Sequence, residues 1–584
     1  MTEQTVTEQT VTEQTTAETG RLAMIRRLYL YLIAFISLIA GLSAAYDLIE
    51  ALIRLWIPDG TVPGLSATGS VQRAIAQPGG FLIVSAPIFL VHWRYIRRLV
   101  LQPGESRAAL RKLFVYAVLA TTAYVSARAL YHIIEGSFQL LLGAAPAEEE
   151  LRPGGWAAQF FHAGIHLILS LYFARLLRED GDLGVEPGWA GSWRRLFQLL
   201  VGLVALGLLL TGAADVLNFV WRALLEPFGA ASLATVGTGW WQRGISGSLA
   251  AVLVGGLAWR LNNLYWNALM TAQPPEGRMA LRRLYLYVAT VLAAAITLVP
   301  VAMLLRLGVL FLFGGVDTGE IDIDDLTTPL GLLPVGALAW RWHWLQVSAE
   351  AQRYGDSRES EFVRRLYYYA VAATGLLLLW IGVVDLVRAL LDLAIIGSTS
   401  VEKGFRAHQF ASGVSLIAVG APVWSLHWRT AQRVAEQDNE AGRAERASWP
   451  RRVYLYGIAF VGALLILFEL AQVVYRLLLW ALGDPNADFF GAETLDGLVR
   501  AVVAAAFWAV HILAIRDDTR MVDKEAEAAA RASEQKERRR EDLAARIEGL
   551  ETELSALRAE LAELEDEELP GGEVVSGDQA DAES

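Results

Sequence analysis

The sequence predicts an all-α integral membrane protein of about twelve transmembrane helices, arranged as six tandem two-helix repeats and followed by a C-terminal cytoplasmic coiled coil. Three observations carry that prediction: an apolar excess, a basic motif that recurs six times, and a leucine heptad late in the chain. Of 584 residues, 54% are apolar and 19% charged, against roughly 45–50% and about 25% in soluble domains. The chain has no Cys, which excludes disulfides, thiolate metal sites and Cys nucleophiles.

The repeat opens at Arg26-Arg27-Leu28-Tyr29-Leu30-Tyr31 and again at Arg111-Lys112-Leu113-Phe114-Val115-Tyr116. A more degenerate copy, Arg194-Arg195-Leu196-Phe197-Gln198-Leu199, is followed by openings at Arg282-Arg283, Arg364-Arg365 and Arg451-Arg452. Each opening leads into about 30 apolar residues. A second, shorter run follows and closes on Trp-Arg in four units: Trp93-Arg94, Trp259-Arg260, Trp340-Arg341 and Trp428-Arg429. Arg175 and Arg516 align there in the other two. Since about 20 apolar residues span a bilayer, two runs in each of six units predict twelve spans. The predicted division is repeats 21–110, 111–193, 194–281, 282–363, 364–450 and 451–517, then a helical segment 518–569. The low-complexity N-terminal tail 1–20 and the acidic tail 570–584 are predicted disordered, having little to bury.

Loop charge sets the orientation. The five connections between units hold 25 Lys or Arg, and the six inside units hold 6. The inner connections instead carry acids: Glu148–Glu150, Asp317 through Asp325, and Asp484 with Asp488. Positive loops stay cytoplasmic, so both termini are expected on the cytoplasmic side of the inner membrane, with the first apolar helix as an uncleaved anchor. Trp at the basic ends suggests an interfacial belt. The net charge of −12 belongs to the tails, and no nucleic-acid partner is indicated. The Thr2–Val6 repeat lacks the basic and apolar regions of a signal peptide.

Ionisable residues within spans are costly and are functional candidates. Twenty-one residues beyond each opening lie Asp47, His132, Asp215, Met303, Asp385 and Gln472, and three further on lie Glu50, Glu135, Arg306 and Arg388. Residues three apart share a helix face, so Asp385 with Arg388 and His132 with Glu135 are candidate intrahelical ion pairs. This polar collar, with Glu469 three residues shallower, has two readings: a conduction path, or interfacial and interhelical structure. At ~1.5 Å per residue, 21 residues span roughly 32 Å, which favours the second. His162 and His166 share a face and read as an interhelical contact ahead of a metal or haem site. His92 and His427, beside Trp-Arg ends, read as interfacial. Pro87, Pro334 and Pro422 each stand six residues before that Trp and predict a repeated kink.

No Walker loop, dinucleotide fingerprint or nucleophile elbow is found, so neither an enzymatic role nor a cofactor is expected. Leu543, Ile547, Leu550, Leu554, Leu557, Leu561 and Leu564 alternate four and three apart, a coiled-coil seam. Arg546 against Glu551 and Glu553 against Arg558 favour a parallel homodimer. A trimer, a cytoplasmic helical partner or a helix docked on the body are the alternatives.

The Arg-Leu-Tyr-Leu-Tyr opening, Pro58-Asp59, and Gln72-Arg73-Ala74-Ile75 leading to Pro87 resemble a bacterial membrane domain family known only as a domain of unknown function. The resemblance implies a multi-pass membrane protein and supplies no activity or site. Two functions are therefore expected: a non-enzymatic membrane scaffold oligomerised by its coiled coil or, alternatively, a channel or transporter using the collar.

Overall fold

The computed structural model describes residues 3–57, 70–102, 104–144, 153–181, 184, 186, 188–229, 240–313, 323–395, 400–484 and 491–567. Among these the chain forms thirteen α-helices and no strand. They are α1 Glu3–Trp56, α2 Ser70–Leu99, α3 Ala109–Leu141, α4 Pro153–Glu179, α5 Gly188–Gly229, α6 Trp240–Ala272, α7 Ala280–Leu312, α8 Ile323–Tyr354, α9 Arg358–Ile395, α10 Ser400–Ala435, α11 Glu440–Arg446, α12 Trp449–Ala481 and α13 Ala492–Glu567. Pro58-Asp59, Glu148–Glu150, Asp317, Asp488 and the tail 570–584 lie outside the described residues.

Among the described residues eleven helices are long and apolar enough to cross a membrane, against the twelve expected. The exception is α8. Thr327, Thr328, Pro329 and Pro334 interrupt its apolar stretch, which closes early on Arg341-Trp342-His343. The N-terminal segment also departs from expectation: α1 begins at Glu3, where composition predicts a disordered tail. Extending an existing helix costs less than nucleating one, and no proline interrupts the Thr-Glu-Gln repeat.

Consecutive long helices pair as antiparallel hairpins: α1 with α2, α3 with α4, α5 with α6, α7 with α8, α9 with α10 and α12 with α13. Scattered glycines let the backbones approach. Gly375 and Gly382 on α9, and Gly413 and Gly420 on α10, are each seven apart and line the α9–α10 contact. A Cβ on Gly413 would lie 2.7 Å from the Leu386 backbone nitrogen. Such close approach is how helices gain contact where lipid removes the hydrophobic drive.

The hairpins stack in one order. The first helix of each hairpin packs on the second helix of the next, as α1 on α4, α3 on α6, α5 on α8, α7 on α10 and α9 on α13. First helices also meet in sequence, α1 with α3 through to α9 with α12. Among the described residues, packed pairs of long helices lie within one hairpin or between consecutive hairpins. The array is therefore an open row.

Candidate functional site

The basic pairs that open the hairpins, counted above as loop charge, are largely interior. Arg111, Lys112, Arg194, Arg282, Arg283 and Arg451 are buried, each held by a carboxylate from a connection or from the stretch just beyond an apolar run. Arg195 donates to both oxygens of Glu276, at 2.8 and 2.7 Å, and Arg194 adds a bond at 2.9 Å. Arg27 pairs with Glu105 at 2.6 Å and Arg365 with Glu445 at 2.8 Å. In these two units a tyrosine completes the carboxylate: Tyr31 donates to Glu105 at 3.2 Å and Tyr369 to Glu445 at 2.6 Å. The equivalent position in the degenerate third opening is Leu199, and there Arg194 supplies the further bond, to the Oε1 that Arg195 also meets.

Even-numbered hairpins use a different acid. The first arginine forms a two-bond fork with an acid just beyond the apolar run of its own second helix: Arg111 with Asp180, Arg282 with Glu350, and Arg451 with Asp518. Such forks are the strong, directional form of the ion pair. Two further acids clamp one hairpin pair to the next. Glu186 pairs with Lys112 and lies 3.5 Å from Arg194. Asp356 holds Arg283 at 3.3 Å and Arg364 at 2.8 Å. Both acids stand eight residues before the arginine they meet. The turns that deliver them start at Gly181 (φ 86°) and Gly355 (φ 71°), a left-handed conformation that suits glycine after a helix end.

Glu276 shows the electrostatic balance outside the apolar helices. Burial pushes its carboxyl up, but the hydrogen bonds and charges of Arg195 and Arg194 outweigh burial and hold it below its ordinary value. Beside it opens a cleft of about 620 Å³, lined by Glu186, Trp189, Arg195 and Met279 among others. Its charged groups already serve the clamp.

One turn deeper, each tyrosine that stands third after the basic pair's first residue faces a histidine of its own hairpin. His92, His343, His427 and His511 each place Nδ1 2.7–2.8 Å from the carbonyl four residues back. A carbonyl can only accept, so Nδ1 carries the proton and Nε2 is left as an acceptor. Tyr367 donates to His427 Nε2 at 3.2 Å, Tyr454 to His511 at 3.1 Å, and Tyr29 to His92 at 3.4 Å. Tyr285 meets His343 edge-on, 6.3 Å between ring centres. In the second hairpin the tyrosine becomes Phe114, packed on Trp93 and Phe173. His92 and His427 are thus interhelical partners of tyrosine, not merely interfacial groups. The Trp belt needs a similar correction. Trp93 packs among Phe89, Phe114 and Phe173, Trp259 against Trp342, and Trp428 against Tyr454 and His511. Neighbouring residues point about 100° apart on a helix, so the Trp turns inward while the following Arg stays exposed.

At the other end of the helices the collar is dispersed. Asp47, Asp215 and Gln472 are exposed, and Asp385 is half-buried. Arg388 does not pair with Asp385; it crosses to Asp496 of α13 at 2.5 Å, because the facing hairpin offers a carboxylate in better geometry. His132 Nδ1 lies 3.5 Å from Glu135. Arg306 reaches His408 of α10 at 3.0 Å, Arg222 pairs with Asp324 of α8, and Glu469 holds Arg500 of α13 at 2.9 Å. His162 stacks on Tyr46 of α1 at 3.8 Å. Arg306, Arg388 and Glu469 tie neighbouring helices together, and the collar positions do not converge on one point among the described residues. Among the described residues no cluster of three His, Asp or Glu side chains is placed to hold a metal.

The acids of the clamp escaped the sequence reading, yet a signal exists. Glu105, Glu276 and Glu445 each stand six residues before an opening arginine, Arg111, Arg282 and Arg451.

No curated protein and no solved structure matches the chain. A family described as "Domain of unknown function (DUF5671)" matches residues 27–164, 195–322 and 365–510. Each match opens on the second arginine of an odd-numbered hairpin and runs into the even-numbered one, the first and third ending within its second helix and the second ending just before α8, so the matches recur with the same two-hairpin period as the Glu–Arg and fork pattern. With three matches across most of its length, the chain belongs to the DUF5671 domain-of-unknown-function family.

Proposed function

We propose that the protein is a non-enzymatic scaffold of the inner membrane, its termini cytoplasmic, which assembles as a parallel homodimer through the end of α13. The observation that carries this reading is the state of that helix. From Ala526 to Glu565 every residue is exposed, so the seam is not docked on the body. Leu543, Ile547, Leu550, Leu554, Leu557, Leu561 and Leu564 are each 49–63% exposed. From Arg516 to Glu567 the helix runs about 77 Å at ~1.5 Å per residue. A helix carrying a continuous apolar seam and no tertiary contact gains stability by burying that seam against another helix. A second copy supplies the matching charges at Arg546 and Glu551.

The open row of hairpins and the dispersal of the collar positions support a scaffold over a channel, since among the described residues Asp47, Asp215 and Asp385 do not gather at one site. The absence of native cysteine makes the test direct. Leu550→Cys in the full-length protein should give a covalent dimer on mild oxidation, as a parallel in-register seam sets the two sulfurs side by side. A thiol that reacts freely with a maleimide yet never crosslinks refutes the dimer.

A further inference from the structure

The five connections between hairpins are not equally balanced in charge. From Arg94 to Lys112 the chain carries six basic residues and one acid, Glu105. The stretches 175–195, 260–283, 341–365 and 429–452 carry four against four, four against one, five against four and six against four. The basic excess is thus five in the first connection and at most three in any other. Glu105 is already bound to Arg27, while Arg111 and Lys112 take Asp180 and Glu186 from the far side of α4. Arg94, Arg97, Arg98 and Arg107 are left exposed, and among the described residues none of them has a carboxylate in ion-pair reach.

Three of these arginines share one face of α2 with an apolar stripe. At about 100° per residue, Ile83, Pro87, Leu90, Val91, Arg97 and Arg98 all fall within about 60° of Arg94 around the helix. Ile83, Leu90 and Val91 are 75%, 61% and 54% exposed, whereas Ser85 and Ile96 on the opposite side are buried. Ser85 packs on Gly41 and His92 meets Tyr29, so the stripe points away from α1. Its apolar part, from Ile83 to Val91, runs about 12 Å at ~1.5 Å per residue, close to the ~15 Å of one leaflet's hydrocarbon. In a bilayer an apolar stripe alone calls for nothing but lipid tails. The arginines at its end add the discriminating chemistry. Guanidinium groups bind phosphate oxygens in two-bond forks, and a basic cluster beside a membrane helix attracts anionic lipid.

We infer that this face of α2 is a binding site for an anionic phospholipid, its phosphate held among Arg94, Arg97 and Arg98 and its acyl chain lying along Val91, Leu90, Pro87 and Ile83. The inference rests on the membrane reading above, which puts the basic end of α2 at a headgroup layer. The other hairpin exits offer less. Arg260 and Arg341 have no arginine one turn further along. Arg175 is paired with Glu179 at 3.1 Å, and Arg520, one turn beyond Arg516, lies 3.8 Å from Asp517. Arg429 with Arg433 comes nearest, in a connection that carries four acids.

Lipid contact can be read at this one place in the full-length protein, in nanodiscs of phosphatidylcholine. Val91→Cys, labelled with bimane, is quenched by lipid that carries a doxyl group on the acyl chain near the headgroup. Leu426→Cys is the control: it stands three residues before Arg429, as Val91 does before Arg94, and Leu426 is 66% exposed. Doxyl phosphatidylglycerol should quench at 91 about fivefold more effectively per mole than doxyl phosphatidylcholine, and at 426 by less than about twofold. Substituting Arg94→Gln, Arg97→Gln and Arg98→Gln together should bring the ratio at 91 down to that at 426. Raising the salt from about 0.05 to about 0.5 M should lower the ratio with the arginines in place, a readout that does not depend on how well the triple variant folds. Excess inorganic phosphate at matched ionic strength should leave the preference intact. Its loss there would mean that a soluble anion, not a lipid, occupies the arginines, and would overturn the inference. A ratio at 91 no higher than at 426, or one that survives the triple substitution, overturns it as well. Bimane untouched by either lipid at both positions would instead bring down the membrane reading beneath it.

Discussion

Replacing Glu276 by Gln keeps the shape of the side chain and removes its charge, leaving two guanidinium groups facing an amide. Arg194 is fully buried and Arg195 is 14% exposed at the side chain, and together they make three bonds of 2.7–2.9 Å to this one carboxylate. Breaking a buried pair from one side costs about 3–5 kcal/mol, because the surviving charge is left uncompensated. Arg194 keeps the Gly184 carbonyl at 3.2 Å and Glu186 at 3.5 Å, which places the expected loss near the lower bound, about 3 kcal/mol. Glu105→Gln provides the comparison. Its partner Arg27 is 34% exposed and can recruit water, so about 1 kcal/mol is expected there. Unfolding of the purified protein by SDS titration, followed by circular dichroism, measures both. A Glu276→Gln variant within about 1 kcal/mol of the unmodified protein, or no weaker than Glu105→Gln, would refute the idea that the clamp carries buried charge.

The same carboxylate predicts a pH dependence. Its folded-state pKa lies below the ordinary 4.5, so its contribution is fully present above about pH 4.5 and is lost as pH falls through the depressed value. SDS titrations at pH 6 and pH 3.5 should show a smaller acid-induced loss in Glu276→Gln than in the unmodified protein. Gly413→Ala should destabilise the α9–α10 pair by about 1–3 kcal/mol through overpacking. Gly457→Ala on α12, with nothing within 4 Å of its Cβ position, should be neutral or slightly stabilising in the same titration. Tyr454→Phe leaves His511 Nε2 without its donor and should cost about 1 kcal/mol, again read by SDS titration. Liposomes holding the protein should show no cation flux above empty vesicles. Flux that disappears on joint substitution of Asp47, Asp215 and Asp385 by Asn would reverse the scaffold reading.

Periodicity in the sequence reveals what is local and misses what is not. The helices follow from apolar runs, and the hairpins from the Arg-Arg and Trp-Arg punctuation. One run was overcounted: α8 carries two threonines, two prolines and an early Arg341, so its register fits the repeat while its hydropathy does not. The collar spacing picked out Arg306 and Arg388, because positions recur every 82–88 residues. Their partners His408 and Asp496 lie 102 and 108 residues away on the next hairpin. No intrahelical rule reaches that far, which is why Asp385 looked like the natural mate of Arg388. The Tyr–His pairs had both halves in plain view, and the change to Phe114 where the second hairpin supplies Phe173 marks them as coupled. The clamp acids were passed over because the connections between units were counted by their basic residues alone, although the acids cancel much of that charge.

That cancellation bears on orientation. The 25 basic residues between units act in two ways that a loop count does not separate. Six of the twelve opening residues are buried against Glu276, the forked acids, Glu186 and Asp356, so those charges are neutralised inside the protein and exert little pull on a headgroup layer. The exit arginines Arg94, Arg175, Arg260, Arg341, Arg429 and Arg516 are all exposed, one per hairpin and always where the second apolar run closes. A long, exposed guanidinium at a helix end extends to the interface and favours the cytoplasmic leaflet. The proposed orientation then draws on exposed arginines such as these, while the buried opening residues hold the hairpins in order. Removing two exit charges, as in Arg94→Gln with Arg260→Gln, should shift topology reporters and leave SDS stability unchanged. Removing an opening arginine such as Arg282 should do the reverse. If both classes move the reporters equally, burial has not separated the two roles and the clamp is only surface charge.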